Sequence, residues 1–340
     1  MPFVSRFFIS IVALATLLGL SAAAGAAPDR QLPGKGVVIQ PGQNYVDGEN
    51  FQTILVIKAL TALGYESKPV QFAQYPALHV AVANNDVTFI ADHWNPLHKA
   101  FFDKAGGEER LYRRGAYIPG CGQGYLIDKK TAQQHQISNL GQLKDPEIAA
   151  LFDVNGNGKA DLAGCPPGWG CERVIEHHLT SFGLRETVTH NQGSYSAVIA
   201  ETITRHEEGE PVLYYTWTPY WVSGLLVPGR DVVWLEVPFS SLPDARDVDT
   251  TLPNGKNYGF EVNNQNIVAN GQFCRDHPDA AKLFAIMQVS TQDVSAQNLL
   301  MLERGEGSWE ACERHAEAWI RANQKTFDGW LEAARAAASP

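Results

Sequence analysis

The chain has 340 residues, enough for one large two-lobed domain or two ordinary domains. Its 44% hydrophobic and 10% aromatic residues are sufficient for a substantial core, which excludes intrinsic disorder as the main state. Asp plus Glu number 37 against 27 Lys plus Arg, a formal charge of −10 with no basic block anywhere, so the electrostatic footprint for a phosphate backbone is missing and nucleic acid is excluded as a partner.

The chain opens with Arg6, an apolar run from Phe7 to Leu20, and small residues ending Ala24-Gly25-Ala26. This is the pattern of a secretory signal peptide over residues 1–26. The run is too short to span a bilayer comfortably, has no charged stop-transfer flank, and is followed by no cysteine for lipid attachment, so a soluble exported protein is expected. Export places the five cysteines in an oxidising environment. Cys165 and Cys171 lie in GCPPGWGC, where two prolines and two glycines force a tight turn, and a disulfide is expected there. Cys274 and Cys312 are candidates for a second bridge between C-terminal helices, although no local turn brings them together. Cys121 is left over as a buried free thiol.

In chain order, residues 37–42 read as a strand running into a loop, 49–65 as a helix stopped by Gly64, and 87–94 as a second strand after a short helical stretch. Strand, helix and strand at this spacing predict a parallel sheet covered by helices. The theme repeats with a strand at 124–128, helical segments around Leu140 and Glu172, and strands at 211–217 and 232–238. A strand at 263–270 follows, and the remainder reads as helix. Trp309, Cys312, Ala316, Trp319, Asn323, Phe327 and Trp330 recur at spacings of three and four, which predicts one final helix with its tryptophans in the core. The order fits a two-lobed α/β protein whose chain crosses over and returns, with a ligand in the cleft at the strand ends.

Three tryptophans follow a strand or occupy a turn beside prolines and glycines: Trp94 in DHWNPLH, Trp169 in PPGWGCE and Trp217 in YYTWTPYW. One such indole reads as core packing, but three at cleft-forming positions offer π-faces to a weakly hydrated cation. Trp221 fits either the same wall or the packing beneath it. Trp169 precedes Gly170, Cys171 and a probable helix, so the amides of Gly170 and Cys171 lie at a helix N-terminus, where a carboxylate binds. His98, one turn beyond Trp94, is a further donor to the same anion. An aromatic cage beside an anion cradle suits a zwitterion with a quaternary ammonium at one end.

The segments LPGKG (32–36), FQTILV, GYLIDKKTA, LFDVNGNGKADL, GCPPGWGC, YYTWTPYWVS, DVVWLEVPFSSLP, KLFAIMQ and FDGW (327–330) resemble, in order, the periplasmic glycine betaine/proline betaine-binding proteins of osmoprotectant ABC importers. The resemblance implies a two-lobed periplasmic binding protein fold, type II-like, each lobe a mixed α/β sheet flanked by helices. It implies lobes at residues 31–120 with 262–340 and at 121–261, joined near Gly120 and Val262. It further implies a box of Trp94, Trp169 and Trp217 around the ammonium, the carboxylate on Gly170, Cys171 and His98, and a disulfide between Cys165 and Cys171. The implied partners are a betaine ligand and the permease and ATPase subunits of an ABC importer, with the receptor a periplasmic monomer needing no cofactor. Choline, carnitine and ectoine are the alternative ligands.

Asp153, Asn155, Asn157 and Asp161 copy the start of a calcium loop, with Gly158 at the sharp-turn position, but the twelfth position is Gly164 instead of a bidentate Glu, so an Asx-rich turn without metal is expected. The pairs His93 and His98, or His177 and His178, have no third ligand at a sensible spacing, and no zinc is expected. A secreted hydrolase using Cys171 or Cys121 with His98 as base fails because a disulfide sulfur cannot attack and Cys121 has no evident base.

Overall fold

β-Branched and aromatic runs form the strands of two main sheets, which organise the whole chain as seen in a computed structural model that describes residues 32–338 apart from 244 and 246. The signal peptide expected at residues 1–26 lies outside the described residues. In the first sheet the strand order is Gln71–Phe72, Pro41–Gln43, Phe89–Asn95, Asn263–Asn270, Leu111–Arg113, and Ile118–Cys121 also pairs with Asn263–Asn270. In the second the order is Val188–Asn191, Ala160–Ala163, Leu213–Trp217, Gln123–Asp128, Val232–Leu235. The chain therefore leaves the first sheet at Cys121, enters the second at Gln123, and returns between Leu235 and Asn263.

The parallel arrangement expected from strand, helix and strand holds between Pro41–Gln43 and Phe89–Asn95, which flank the helix Asn50–Ala62. Both sheets are nonetheless mixed. Asn263–Asn270 runs antiparallel to Phe89–Asn95, and Gln123–Asp128 runs antiparallel to Leu213–Trp217 and Val232–Leu235. Asn263–Asn270 and Gln123–Asp128 arrive from the other sheet, so no right-handed helical crossover dictates their direction. The sequence reading also passes over Ala160–Ala163 and Val188–Asn191, which are four residues each and carry Asp161, Thr189 and His190, too short and polar to stand out as a β run.

The final helix is two helices, Trp309–Ala322 and Gln324–Ala338. Asn323 breaks them: its backbone turns to φ −118°, while its backbone N–H and its side-chain Nδ2 both donate to the Trp319 carbonyl at 2.9 Å and close off the end of the first helix. The expected apolar periodicity survives the break, because Trp319 and Trp330 still stack, with ring centroids 6.0 Å apart.

The disulfide between Cys165 and Cys171 is present. The second bridge is not: Cys274 and Cys312 are both free and buried. They sit in different packing environments, Cys312 with its Sγ 3.3 Å from Met301 Sδ and Cys274 on the helix Gly271–Asp276 beside Tyr65 and Tyr112. Cys121 is a buried free thiol whose Sγ donates to the Ile118 carbonyl at 3.3 Å. No helix among the described residues is long and apolar enough to cross a membrane.

Candidate functional site

The two sheets bring their strand ends to one pocket of about 300 Å³. The first sheet and its flanking turns and helices supply Glu49, Tyr75, Trp94, Leu97 and His98, and the second with its flanking segments supplies Gln123, Trp169, Gly170, Cys171, Tyr215 and Trp217. All six ligand-binding candidates named from the sequence line this pocket. Register explains part of the convergence, since Trp217 closes its strand opposite Gln123 and Trp94 lies opposite Gln265 near the end of Phe89–Asn95. Trp221 does not line the pocket; it packs against Tyr220 at 5.2 Å.

Two of the indoles, Trp169 and Trp217, are held by other rings. Trp169 and Trp217 meet edge to face, 5.7 Å apart at 71°. Trp217 is braced by Tyr220, stacked at 4.5 Å, and by Tyr195 at 4.6 Å, while Tyr75 meets Trp169 edge-on at 6.0 Å. Trp94, Trp169 and Trp217 are only 5–8% exposed, so a cation among them would be largely desolvated, where attraction to an indole face is worth about 2 kcal/mol.

The other end of the pocket is a cluster of donors. The helix Gly170–Ser181 starts at Trp169, whose extended backbone makes it the N-cap with no side-chain cap, so the first amides are offered to the pocket with the helix dipole behind them. Glycine is required here by close approach: a Cβ on Gly170 would lie 2.7 Å from Leu97 Cγ and 3.1 Å from His98 Cδ2. The tautomer of His98 follows from its neighbour. Its Nδ1 accepts the Trp94 backbone N–H at 3.2 Å, and burial pushes its pKa well down, so the ring is neutral with its proton on Nε2, a donor.

The structure supplies a third imidazole that spacing did not reveal. His79, His93 and His98 hold one ring nitrogen each within 4.8 Å of one another, all buried. The hydrogen bonds assign those nitrogens already. Arg113 donates to His93 Nε2 at 3.0 Å, His93 Nδ1 donates to His79 Nε2 at 2.8 Å, and His79 Nδ1 donates to the Tyr75 carbonyl at 2.6 Å. Only His98 Nε2 remains uncommitted, and a metal would have to break the chain and sit close to the Arg113 charge. The calcium-like loop is likewise self-satisfied. Asp153 accepts from the amides of Gly156, Asn157 and Gly158, and Asp161 from the amides of Val154 and Asn155.

Neither cysteine of the hydrolase reading is a nucleophile, because Cys171 is in the disulfide and burial pushes the Cys121 thiol up to about 12. The pocket residues that sequence reading missed are Glu49, Tyr75, Leu97, Gln123 and Tyr215. Glu49 and Gln123 carried no signal, being polar residues in ordinary polar contexts; Tyr215, inside YYTWTPYW, was one aromatic among several.

A pocket walled by aromatic rings, with donors at one end and walls drawn from two sheets, defines a two-lobed substrate-binding protein. The family model for the substrate-binding domain of the ABC-type glycine betaine transport system matches residues 38–322, and the chain belongs to that family, one of transport receptors and not of enzymes. It is 54% identical over 331 residues to a glycine betaine-binding periplasmic protein of Dickeya dadantii, covering 97% of this chain and 99% of the relative. It is 53% identical over 306 residues to the glycine betaine/proline betaine-binding periplasmic protein of Escherichia coli, covering 90% and 92%. Among solved structures, lactococcal OpuAC in its closed form with glycine betaine superposes with a TM-score of 0.66 at 18% identity, covering 87% of this chain and 99% of that one. The glycine betaine/L-proline-binding protein of Borrelia burgdorferi gives 0.68 at 17%, covering 86% and 96%. At those identities the two structures support the fold alone.

Proposed function

We propose that the protein is the periplasmic receptor of an ABC importer, capturing glycine betaine and proline betaine as a monomer and delivering them to the permease and ATPase subunits for osmoprotection. The observation that carries this reading is the pairing, in one buried pocket, of three indoles with an anion cradle. Trp94, Trp169 and Trp217 enclose the quaternary ammonium, and the amides of Gly170 and Cys171 with His98 Nε2 hold the carboxylate. The lobes are residues 31–120 with 262–340 and residues 121–261, hinged near Gly120 and Val262, and they close on the ligand. Three indole faces contribute roughly 6 kcal/mol gross, whereas micromolar affinity needs about 8 kcal/mol net of ordering costs, so both ends of the ligand are required.

Calorimetric titration with glycine betaine, proline betaine, choline and glycine in parallel tests the reading. The two betaines bind tightly. Glycine, whose primary ammonium wants acceptors that indoles lack, binds at least about a hundredfold more weakly, and choline, without the anion, is poor. Trp94→Ala, Trp169→Ala and Trp217→Ala each cost more affinity than His98→Ala. Parent-like betaine binding by all three tryptophan variants would return the indoles to the role of core residues.

A further inference from the structure

Beside the cage lie two buried carboxyl groups that the anchoring of a zwitterion leaves unused. Glu49 lines the pocket, and Asp92 stands two residues before Trp94 on the same strand; they are 4% and 0% exposed. Glu49 Oε1 accepts the Tyr75 hydroxyl at 2.9 Å, and Asp92 Oδ2 accepts the Asn44 backbone N–H at 2.9 Å. One oxygen of each, Glu49 Oε2 and Asp92 Oδ1, is buried with no donor in hydrogen-bonding geometry. The two side chains are close enough to interact directly, and no Lys or Arg among the described residues pairs with either.

We infer that Glu49 and Asp92 share a single proton, and that the one negative charge left on the pair is the counter-ion of the ligand's quaternary ammonium. Two carboxylates in contact, without a cation, cannot both stay ionised. One proton between them gives each carboxyl group a hydrogen-bond partner in the other. The electrostatics agree: burial, then the neighbouring Asp92, hold the Glu49 carboxyl well above the usual carboxylate range, against the pull of Tyr75 and Trp94. A quaternary ammonium has no hydrogen to donate, so it leaves the shared proton in place and meets only the field of the pair. The indoles thus enclose and attract the cationic group, and the carboxyl pair adds a full opposite charge behind them.

This inference rests on the betaine reading above, and its test separates the two. The measured quantity is the affinity ratio between glycine betaine and 3,3-dimethylbutanoate, which has the same shape with carbon in place of the nitrogen. In the double variant E49Q/D92N, which removes the charge and keeps the volumes, the ratio falls at least about tenfold, an order set by the strength of a desolvated charge pair. Returning one carboxylate, as E49Q alone does, recovers most of the ratio; a merely structural role would not follow the charge in this way. A double variant that keeps the parent ratio overturns the shared charge while leaving the betaine reading standing, whereas a parent that does not bind betaine removes that reading itself. Should the double variant not fold, infrared spectroscopy of the parent serves: it shows the carbonyl band of a protonated buried carboxyl at neutral pH that D92N abolishes. Absence of the band, or its persistence in D92N, also overturns the inference.

Discussion

His178, outside the pocket lining, commits both ring nitrogens: Nδ1 accepts the Tyr125 hydroxyl at 2.8 Å, and Nε2 donates to the Ser241 carbonyl at 2.8 Å. Burial, with a smaller push from neighbouring His177, lowers its pKa to about 3 against the pull of the Ser241 carbonyl. The folded protein therefore favours the neutral ring while the unfolded chain takes up a proton near pH 6.5. The stability this ring contributes is complete above the unfolded pKa and is lost as pH falls from about 6.5 towards about 3. At pH 5 the loss is about 2 kcal/mol. His178→Asn is destabilised at pH 7 but lacks that titration, so the stability gap between parent and variant, read by urea unfolding, narrows by about 2 kcal/mol between pH 7 and pH 5. A gap that stays constant would show that the buried ring is already protonated or that acid opens its surroundings first. At this same scale the site was partly legible. Trp94, Trp169 and Trp217 announced themselves by standing beside prolines and glycines where no packing demands an indole, but Glu49 reads in sequence like any solvated acid, and only the fold buries it against Asp92.

The decisive element is the helix Gly170–Ser181, which is aimed at the pocket by the turn in front of it. The bridge between Cys165 and Cys171 ties the strand end after Ala160–Ala163 to the first turn of that helix. Because the loop it closes is short, its direct stabilisation of the fold is modest, roughly 2 kcal/mol by chain entropy. Its effect on binding is larger, since Cys165→Ser frees the backbone that presents Trp169 and the two amides. Betaine affinity measured by calorimetry therefore falls by a larger free energy than the folding stability does. Unchanged affinity in that variant would mean that Pro166, Pro167 and Gly168 hold the turn without the sulfurs. Elements of this kind were the readable ones: a Pro/Gly turn before an amphipathic run, or a dense β run such as Leu213–Trp217, signals itself locally. The short strands Ala160–Ala163 and Val188–Asn191 did not, because partners distant in sequence stabilise them, and the break at Asn323 leaves no trace in the pattern because one residue turns out of helical geometry without disturbing the apolar spacing.

Across the whole molecule, two sheets joined where the chain passes from Cys121 to Gln123 and again between Leu235 and Asn263 give the proposed hinge few covalent connections to bend. Gly120, at φ +74° with open space around it, takes a conformation other residues resist. Small-angle scattering should record a smaller radius of gyration at saturating betaine than without it. An identical radius in both states would count against closure by hinge bending. The free thiols carry a consequence for how such a chain matures. If it is threaded outward from its N-terminus, Cys121 emerges before either partner of the native bridge, with 44 residues from Cys121 to Cys165 against 6 from Cys165 to Cys171. Loop closure favours the shorter ring by roughly 20-fold through the three-halves power of that length ratio. Once all three thiols are out, the correct pairing thus closes faster than its earliest rival by geometry alone, before any isomerase proofreads it, and Cys121 is left to disappear under the closing sheet as a thiol.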